Sequence, residues 1–247
     1  MKSLLIALSL LFTISSIAQN DINKTDSQGR KQGVWKKAYP NAKVFRYVGQ
    51  FKDDKPYGEF IYYYETGEVE ATLTFSENGK VSRSKMYHRS GYLMAKGKYV
   101  NQQKDSVWIH YDDRGVISYM ETYENGKLNG QKVYFYEPQD GKLHVARYEY
   151  YRDGLRHGEF KEYHQNTKVK IEGKFRDGNL DGKIVHYYPN GRVKKILYYK
   201  HAVEHGVSSF YSDDGKLVGT KTHWEGKLLK GEAAEAKMKL WYEQQKK

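Results

Sequence analysis

Gly154-Leu-Arg-His-Gly158 and Gly178-Asn-Leu-Asp-Gly182 decide the fold, because each opens the same series of residues 24 positions apart. The first leads through Phe160 to Tyr163, then Val169, Ile171 and Phe175. The second leads through Ile184 to Tyr187, then Val193, Leu197 and Tyr199. A fixed period of this size marks a stacked array, in which each unit buries apolar surface only against its neighbours.

Counted outward from this pair, one aromatic series runs Tyr39, Tyr63, Tyr87, Tyr111, Phe135, Tyr163, Tyr187 and Tyr211, in steps of 24 with a single step of 28 after Phe135. A second runs Phe51, Phe75, Tyr99, Tyr123, Tyr151, Phe175, Tyr199 and His223, with its step of 28 after Tyr123. The extra residues therefore lie between Phe135 and Tyr151, where Pro138, Gln139 and Asp140 predict a longer turn. Eight units result.

Shortly after the first aromatic comes a glycine: Gly67, Gly91, Gly115, Gly141, Gly191 or Gly215. Glycine supplies the positive φ that closes a hairpin. Asn166-Thr167 and Asn41-Ala42 lack it, so those two turns are expected to be built differently or strained. The second turn of each unit, marked by G-x-x-x-G at Gly126 to Gly130, Gly154 to Gly158 and Gly178 to Gly182, reads as looser. Between turns lie short segments rich in Tyr, Phe, Val and Ile, which is strand chemistry. The expectation is an all-β, elongated antiparallel β-meander of about eight hairpin repeats, on the order of 75 Å long before twist shortens it. Tyr187 is expected to fill the sheet between the equivalent Tyr163 and Tyr211.

Composition agrees with an array. Aromatics make up 15% of the 247 residues, with 24 Tyr, while 29% are charged. That is too polar for a large core and too aromatic for a disordered chain. Tyrosine, apolar along its body and wet at its tip, resolves the conflict. The absence of cysteine excludes disulfides and thioether-linked lipid.

At the start, Met1 and Lys2 precede an apolar run from Leu4 to Ile17 that ends near Ser16 and Ala18. This layout predicts a signal peptide over 1–18, cleaved between Ala18 and Gln19, and hence an exported protein, periplasmic, outer-membrane associated or extracellular. The run is shorter than the roughly 20 residues that span hydrocarbon, so an integral membrane protein is not expected. Residues 19–29 read as a polar leader and 30–231 as the array. Residues 232–247, with Ala233, Ala234, Ala236, Met238 and Leu240, read as a helical cap over the strand after Gly215. A further strand at 237–243 is the alternative. The formal charge is +12, of which Lys2 contributes one, and this surplus favours anionic partners.

The 24-residue unit opening on G-x-x-x-G resembles the bacterial variant of the MORN repeat family. Asp153-Gly154, His157-Gly158, Tyr163, Asp177-Gly178, Gly182, Tyr187, Tyr188, Asn190 and Gly191 carry the resemblance, which extends over 30–231 with degenerate first, third and fourth units. It implies a repeat scaffold. Some relatives are described as antitoxin components and other MORN arrays as protein-binding or lipid-binding platforms, so the resemblance also implies a binding role.

Candidate chemistry is sparse. His201-Ala-Val-Glu-His205 has the spacing of a helical zinc motif but falls in an inter-unit turn. Gly215-Lys-Leu-Val-Gly219-Thr-Lys221-Thr222 has one residue too few for a phosphate loop and leads into no helix. No nucleophile, base and orienting group recur together. The expectation is therefore a non-enzymatic chain with no catalytic residues, no cofactor and no metal. Export and the 30 acidic residues among 42 basic ones argue against nucleic acid. The expected partner is a protein engaged through the sheet, immunity-like in one version. The alternative is an anionic envelope lipid or polysaccharide.

Strand alternation nominates a contact face. Lys168, Lys170 and Lys174 share one parity, opposite Val169, Ile171 and Phe175, and Arg192 and Lys194 repeat it a unit later, with Lys195 breaking the pattern. These five cations are expected to form one basic patch.

Overall fold

The computed structural model describes residues 22–40, 42–139 and 141–245, so the signal peptide read from 1–18 lies outside the described residues. The strands begin β1 (Lys24–Thr25), β2 (Lys31–Ala38), β3 (Phe45–Lys52), β4 (Lys55–Tyr63), β5 (Val69–Ser76), β6 (Val81–Tyr87) and β7 (Leu93–Val100). They continue as β8 (Gln103–Tyr111), β9 (Ile117–Glu124), β10 (Lys127–Phe135), β11 (Val145–Arg152), β12 (Leu155–Tyr163), β13 (Val169–Arg176) and β14 (Asn179–Leu180). The last are β15 (Gly182–Tyr187), β16 (Val193–Lys200), β17 (Val203–Glu204), β18 (Gly206–Tyr211), β19 (Leu217–Trp224) and β20 (Lys227–Leu229), followed by helix α1 (Gly231–Gln244). The strands pair antiparallel in sequence order, the short β14 and β17 pairing only with β13 and β16, which go on to pair with β15 and β18, and this makes one open, elongated meander.

Two turns alternate along it. Within a unit, the Tyr64 N–H donates to Glu68 O and the Gly67 N–H to Tyr64 O, both at 2.9 Å, and the same pair of bonds closes the turns at 88–92, 112–116, 188–192 and 212–216. Thr167 closes its turn in the same way with φ at 65, so this turn is strained rather than rebuilt. The first unit takes the other course. Tyr39 N–H reaches Val44 O, one residue further along.

Between units the turn is the tighter one, contrary to the sequence reading. Asp153 and Gly154 both have positive φ, as do Asp53-Asp54, Asn101-Gln102, Asn125-Gly126, Asp177-Gly178, His201-Ala202 and Glu225-Gly226. That is the two-residue hairpin whose twist matches the flanking strands. The second glycine of G-x-x-x-G serves a bulge. Glu149 pairs with Phe160 and Tyr151 with Arg156, so two extra residues sit on β12 around Gly158, at φ 96. Only the third unit places its extra residues in the turn, at Glu77–Gly79, and keeps regular pairing between β5 and β6.

Packing is concentrated in one stripe along one face. Cross-strand partners run Phe60, Leu73, Ser84 and Gly97, then Trp108, Glu121, Lys132, Glu149, Phe160 and Gly173, then Ile184 and Leu197. Large residues lie over small ones. A Cβ on Gly97 would sit 2.2 Å from Trp108, and one on Gly173 the same distance from Ile184. Trp108 is fully buried, with Tyr99 edge-on at 4.8 Å and its indole N–H donating to Lys98 O at 3.1 Å. The second aromatic series flanks this stripe, Phe175 packing with Phe160, Ile184 and Leu197.

The first aromatic series lies elsewhere. Tyr187 is half-buried, and its hydroxyl donates to Glu172 at 2.6 Å. Buried Phe60, Ser84, Trp108, Phe160, Ile184 and Ser208 each come three positions before a member of this series, which corrects the expectation that the series fills the core. In several units the residue after the strand end links to the next unit. Tyr39, Tyr64, Tyr136 and Tyr188 donate their hydroxyls to the carbonyls of Tyr63, Tyr87, Tyr163 and Tyr211 at 2.6 to 2.9 Å. Tyr39 is thus equivalent to Tyr64, not to Tyr63.

Both ends depart from the sequence reading in detail. The sheet starts inside the segment read as leader, with Lys24 and Thr25 paired to Gln32 and Lys31. Residues 237–243 are helical, not a strand. Trp241 packs edge-on to Tyr198 at 4.8 Å and lies where a Gly206 Cβ would fall at 2.7 Å. The helix therefore packs over β18 and β19 on the face away from the stripe.

Candidate functional site

That second face is bare elsewhere. Among the described residues no second layer packs on the sheet apart from α1 at its C-terminal end. One row of directly opposed residues crosses it: Val48, Ile61, Thr72, Lys85, Lys96, Ile109, Met120, Val133, Tyr148, Lys161, Glu172, Val185 and Ile196. A parallel row includes Thr74, Arg83 and Lys98 in the N-terminal half and Glu159 and Lys174 in the C-terminal half.

In hairpin β6–β7 the two rows bring four cations together. Arg83 faces Lys98 and Lys85 faces Lys96 across one hydrogen-bonded pair of strands. Like charges directly opposite each other destabilise a sheet. They line a groove of about 600 Å³ with Thr72, Thr74 and Ser106 beside them and with Glu59, directly opposite Thr74, also in its lining. Lys98 has a counter-charge in Asp105 at 2.8 Å, whose carboxyl is lowered by that bond and by Ser106. Lys96 lies 5.7 Å from the Tyr111 ring. Arg83 and Lys85 have neither an ion pair nor a hydrogen bond within the described residues.

Hairpin β12–β13 carries the equivalent positions and a second groove of about 600 Å³. There Glu159 faces Lys174 and Lys161 faces Glu172. The pairs close at 3.6 and 3.1 Å. Glu172 also accepts from the Tyr187 hydroxyl, and that bond, with Lys161, holds its carboxyl below the usual range despite burial.

The five cations nominated from the sequence fall into different settings. Register shifts at Tyr163 and Tyr187 leave Lys170 and Lys194 unpaired between Val169 and Ile171 and between Val193 and Lys195, so strict alternation fails there. Lys170 pairs with Glu162 at 2.5 Å, and Lys194 lies 5.3 Å from the Tyr188 ring. Lys168 and Arg192 donate across the turns to Asn190 O and Asp213 O at 2.8 and 3.1 Å. Lys174 alone stands in the groove. The structure does not assemble the five into one patch, and the bulges are the reason.

Sequence reasoning also missed a charged row in the core stripe, between the two hairpins. Lys132 lies directly between Glu121 and Glu149 on adjacent strands. Glu149 is 1% exposed and meets Arg147 at 2.5 Å, the Tyr151 hydroxyl at 2.9 Å and Arg156 at 3.3 Å. Glu121 meets Lys132 at 2.7 Å, the Tyr123 hydroxyl at 2.9 Å and His110 at 3.3 Å. Burial pushes the Glu121 carboxyl up, but bonds from His110, Lys132 and Tyr123 outweigh it and hold it at about 2. The signal was legible: Glu121 and Glu149 each stand two residues before a second-series aromatic, on the core parity.

This row has no substrate-sized groove among those described, and its carboxylates are engaged by cations and hydroxyls. His201 takes φ 52 in a two-residue turn, and the His205 ring lies tilted against Trp224 at 4.3 Å, so the two do not converge. Residues 217–224 form strand β19, with no phosphate-loop geometry. Among the described residues no three metal-ligating side chains gather, and no helix is long and apolar enough to cross a membrane.

A single-layer sheet with a bare face, grooves set by cross-strand pairs and a repeated turn chemistry defines a β-repeat scaffold. The family model described as MORN repeat variant matches residues 56–77, 156–177 and 180–201, so the chain carries MORN repeats of the variant type. Hairpin β12–β13 lies within a matched repeat, and the four-cation hairpin lies outside all three. The MORN repeat family is generally non-enzymatic. Comparison with curated proteins gives no match.

Proposed function

We propose that the chain is an exported, non-enzymatic scaffold that binds another protein through the bare face of its sheet. The observation that carries this reading is the absence, among the described residues, of any layer over that face from β2 to β15. A sheet ordinarily buries one face against another element, and a large uncovered face is where partners bind. Exposed Tyr57, Val107 and Tyr150 add apolar contact area. Charge alone would point to an anionic lipid or polysaccharide. The opposite-charge pairs of hairpin β12–β13 argue for a partner that reads both signs.

Affinity capture from envelope extract at low and moderate salt tests this. Exposed charge contacts are screened within about 10 Å at 0.1 M salt, whereas apolar protein contacts persist. Saturable retention of one protein at both salt levels is the expected result. Retention of glycan or lipid only, lost at moderate salt, would overturn it. Mass spectrometry checks export: the mature protein should begin at Gln19, and a full-length form in the envelope would refute cleavage.

A further inference from the structure

We infer that the groove over hairpin β6–β7 is a docking site for an extended, acidic protein segment with Asp or Glu at alternate positions. The inference rests on the protein-binding reading and names the chemistry of one contact within it.

The argument is geometric. Arg83 and Lys98 form one rung and Lys85 and Lys96 the next, two residues along the same strands. Rungs two residues apart on one face repeat at about 6.7 Å, and so do alternate side chains of any extended peptide. A segment lying along β6–β7 therefore sets one carboxylate on each rung without distortion, and each carboxylate meets two cationic side chains whose Cα atoms lie about 5 Å apart across the strands. A single phosphate spans one rung and leaves the other charged. A flat bilayer surface presents no alternating carboxylates and gains nothing from two rungs set within a groove. Thr72 and Thr74, directly opposite Lys85 and Arg83 on β5, supply hydroxyls along the flank.

Among the described residues Lys98 has its counter-charge in Asp105, but Arg83 and Lys85 have none. Every other unit has at most one cation at these four positions except hairpin β12–β13, which offsets two with two carboxylates. Like charges set opposite each other across two strands raise the energy of the free protein, and an acidic ligand reduces that repulsion on binding.

Three probes test the assignment by fluorescence anisotropy on the full mature chain: a ten-residue peptide alternating Glu and Thr, an isomer with its Glu residues in one block, and vesicles containing anionic lipid. The alternating peptide should bind at least about tenfold tighter than the block isomer. Arg83→Glu with Lys85→Glu should abolish that preference, whereas Lys161→Glu with Lys174→Glu should preserve it. Circular dichroism melts show whether the variants fold, and Arg83→Gln with Lys85→Gln gives a milder second test. Equal binding of the isomers, indifference to the Arg83 and Lys85 changes, or quartet-dependent binding to vesicles but not to peptide would overturn the inference. Retention of a protein partner by the Arg83/Lys85 variant would leave the scaffold reading standing while this one falls.

Discussion

Hairpins β6–β7 and β12–β13 have the same backbone pairing, the same groove volume and different charge logic. At equivalent positions one sets Arg83 against Lys98 and Lys85 against Lys96, and the other sets Glu159 against Lys174 and Lys161 against Glu172. The repeat fixes where side chains stand, through its turns, its bulges and the buried stripe beneath. It leaves the bare face free to vary, because exposed positions contribute little to stability. In such an array the shared residues describe the scaffold, and the differences among equivalent exposed residues carry the specificity.

The comparison requires that both hairpins stand on equally solid cores, and the largest predicted effect tests that. Trp108 is the fully buried residue of β8, beside the four cations, and Phe160 is the buried residue of β12 itself. Trp108→Ala and Phe160→Ala should each cost about 3 to 5 kcal/mol in urea melts. A small loss for one alone would show that the two grooves differ in packing as well as charge.

Acid offers a second handle, because the Glu121–Lys132–Glu149 row lies between the two hairpins. The Glu121 carboxyl titrates at about 2 in the folded chain against 4.5 ordinarily. Its stabilisation is therefore complete above pH 4.5 and is lost as pH falls through the window down to about 2. After allowance for solvent screening, the loss should be about 2 kcal/mol. Glu121→Gln should flatten that part of the stability profile. An unchanged profile would mean that the row is hydrated surface and no junction between the halves.

How much of this was open to the sequence follows from what fixes each feature. Turn glycines and aromatic spacing are local and periodic, so the meander, the unit count and the place of the insertion were legible. The helix was legible from its alanines. Burial was misassigned by three residues, because tyrosine recurs as conspicuously on the half-wet face as phenylalanine and tryptophan do in the stripe. The basic patch failed for a different reason: parity counting assumes regular strands, and bulges beside Tyr163 and Tyr187 shift the count by one. Arg83, Lys85, Lys96 and Lys98 share their parities plainly. What was missing was the register that sets β6 against β7, which no single strand contains.

Reversing one charge in each hairpin gives the next effect. Glu172→Lys sets two lysines opposite each other and removes the acceptor of the Tyr187 hydroxyl. It should make the second hairpin resemble the first, at a cost of about 1 kcal/mol in thermal melts. A neutral result would show that Lys161 and Glu172 are simply solvated.

The smallest effect is the most informative, because its sign is unusual for a change at a proposed binding site. Lys85→Glu places a carboxylate directly opposite Lys96, beside Arg83, and converts a repulsive rung into an attractive one. The variant should gain about 0.2 to 1 kcal/mol, the usual range for a cross-strand charge pair. The gain should shrink as salt rises toward 1 M, where the screening length falls to about 3 Å. Added salt should also raise the melting temperature of the unaltered chain slightly, by damping the same repulsion. A substitution that strengthens folding and weakens capture of an acidic partner would mean that the four cations are kept together at the expense of stability. A loss of stability in Lys85→Glu would show instead that the long side chains already splay apart into water, and the contrast between the two hairpins would then carry no energy.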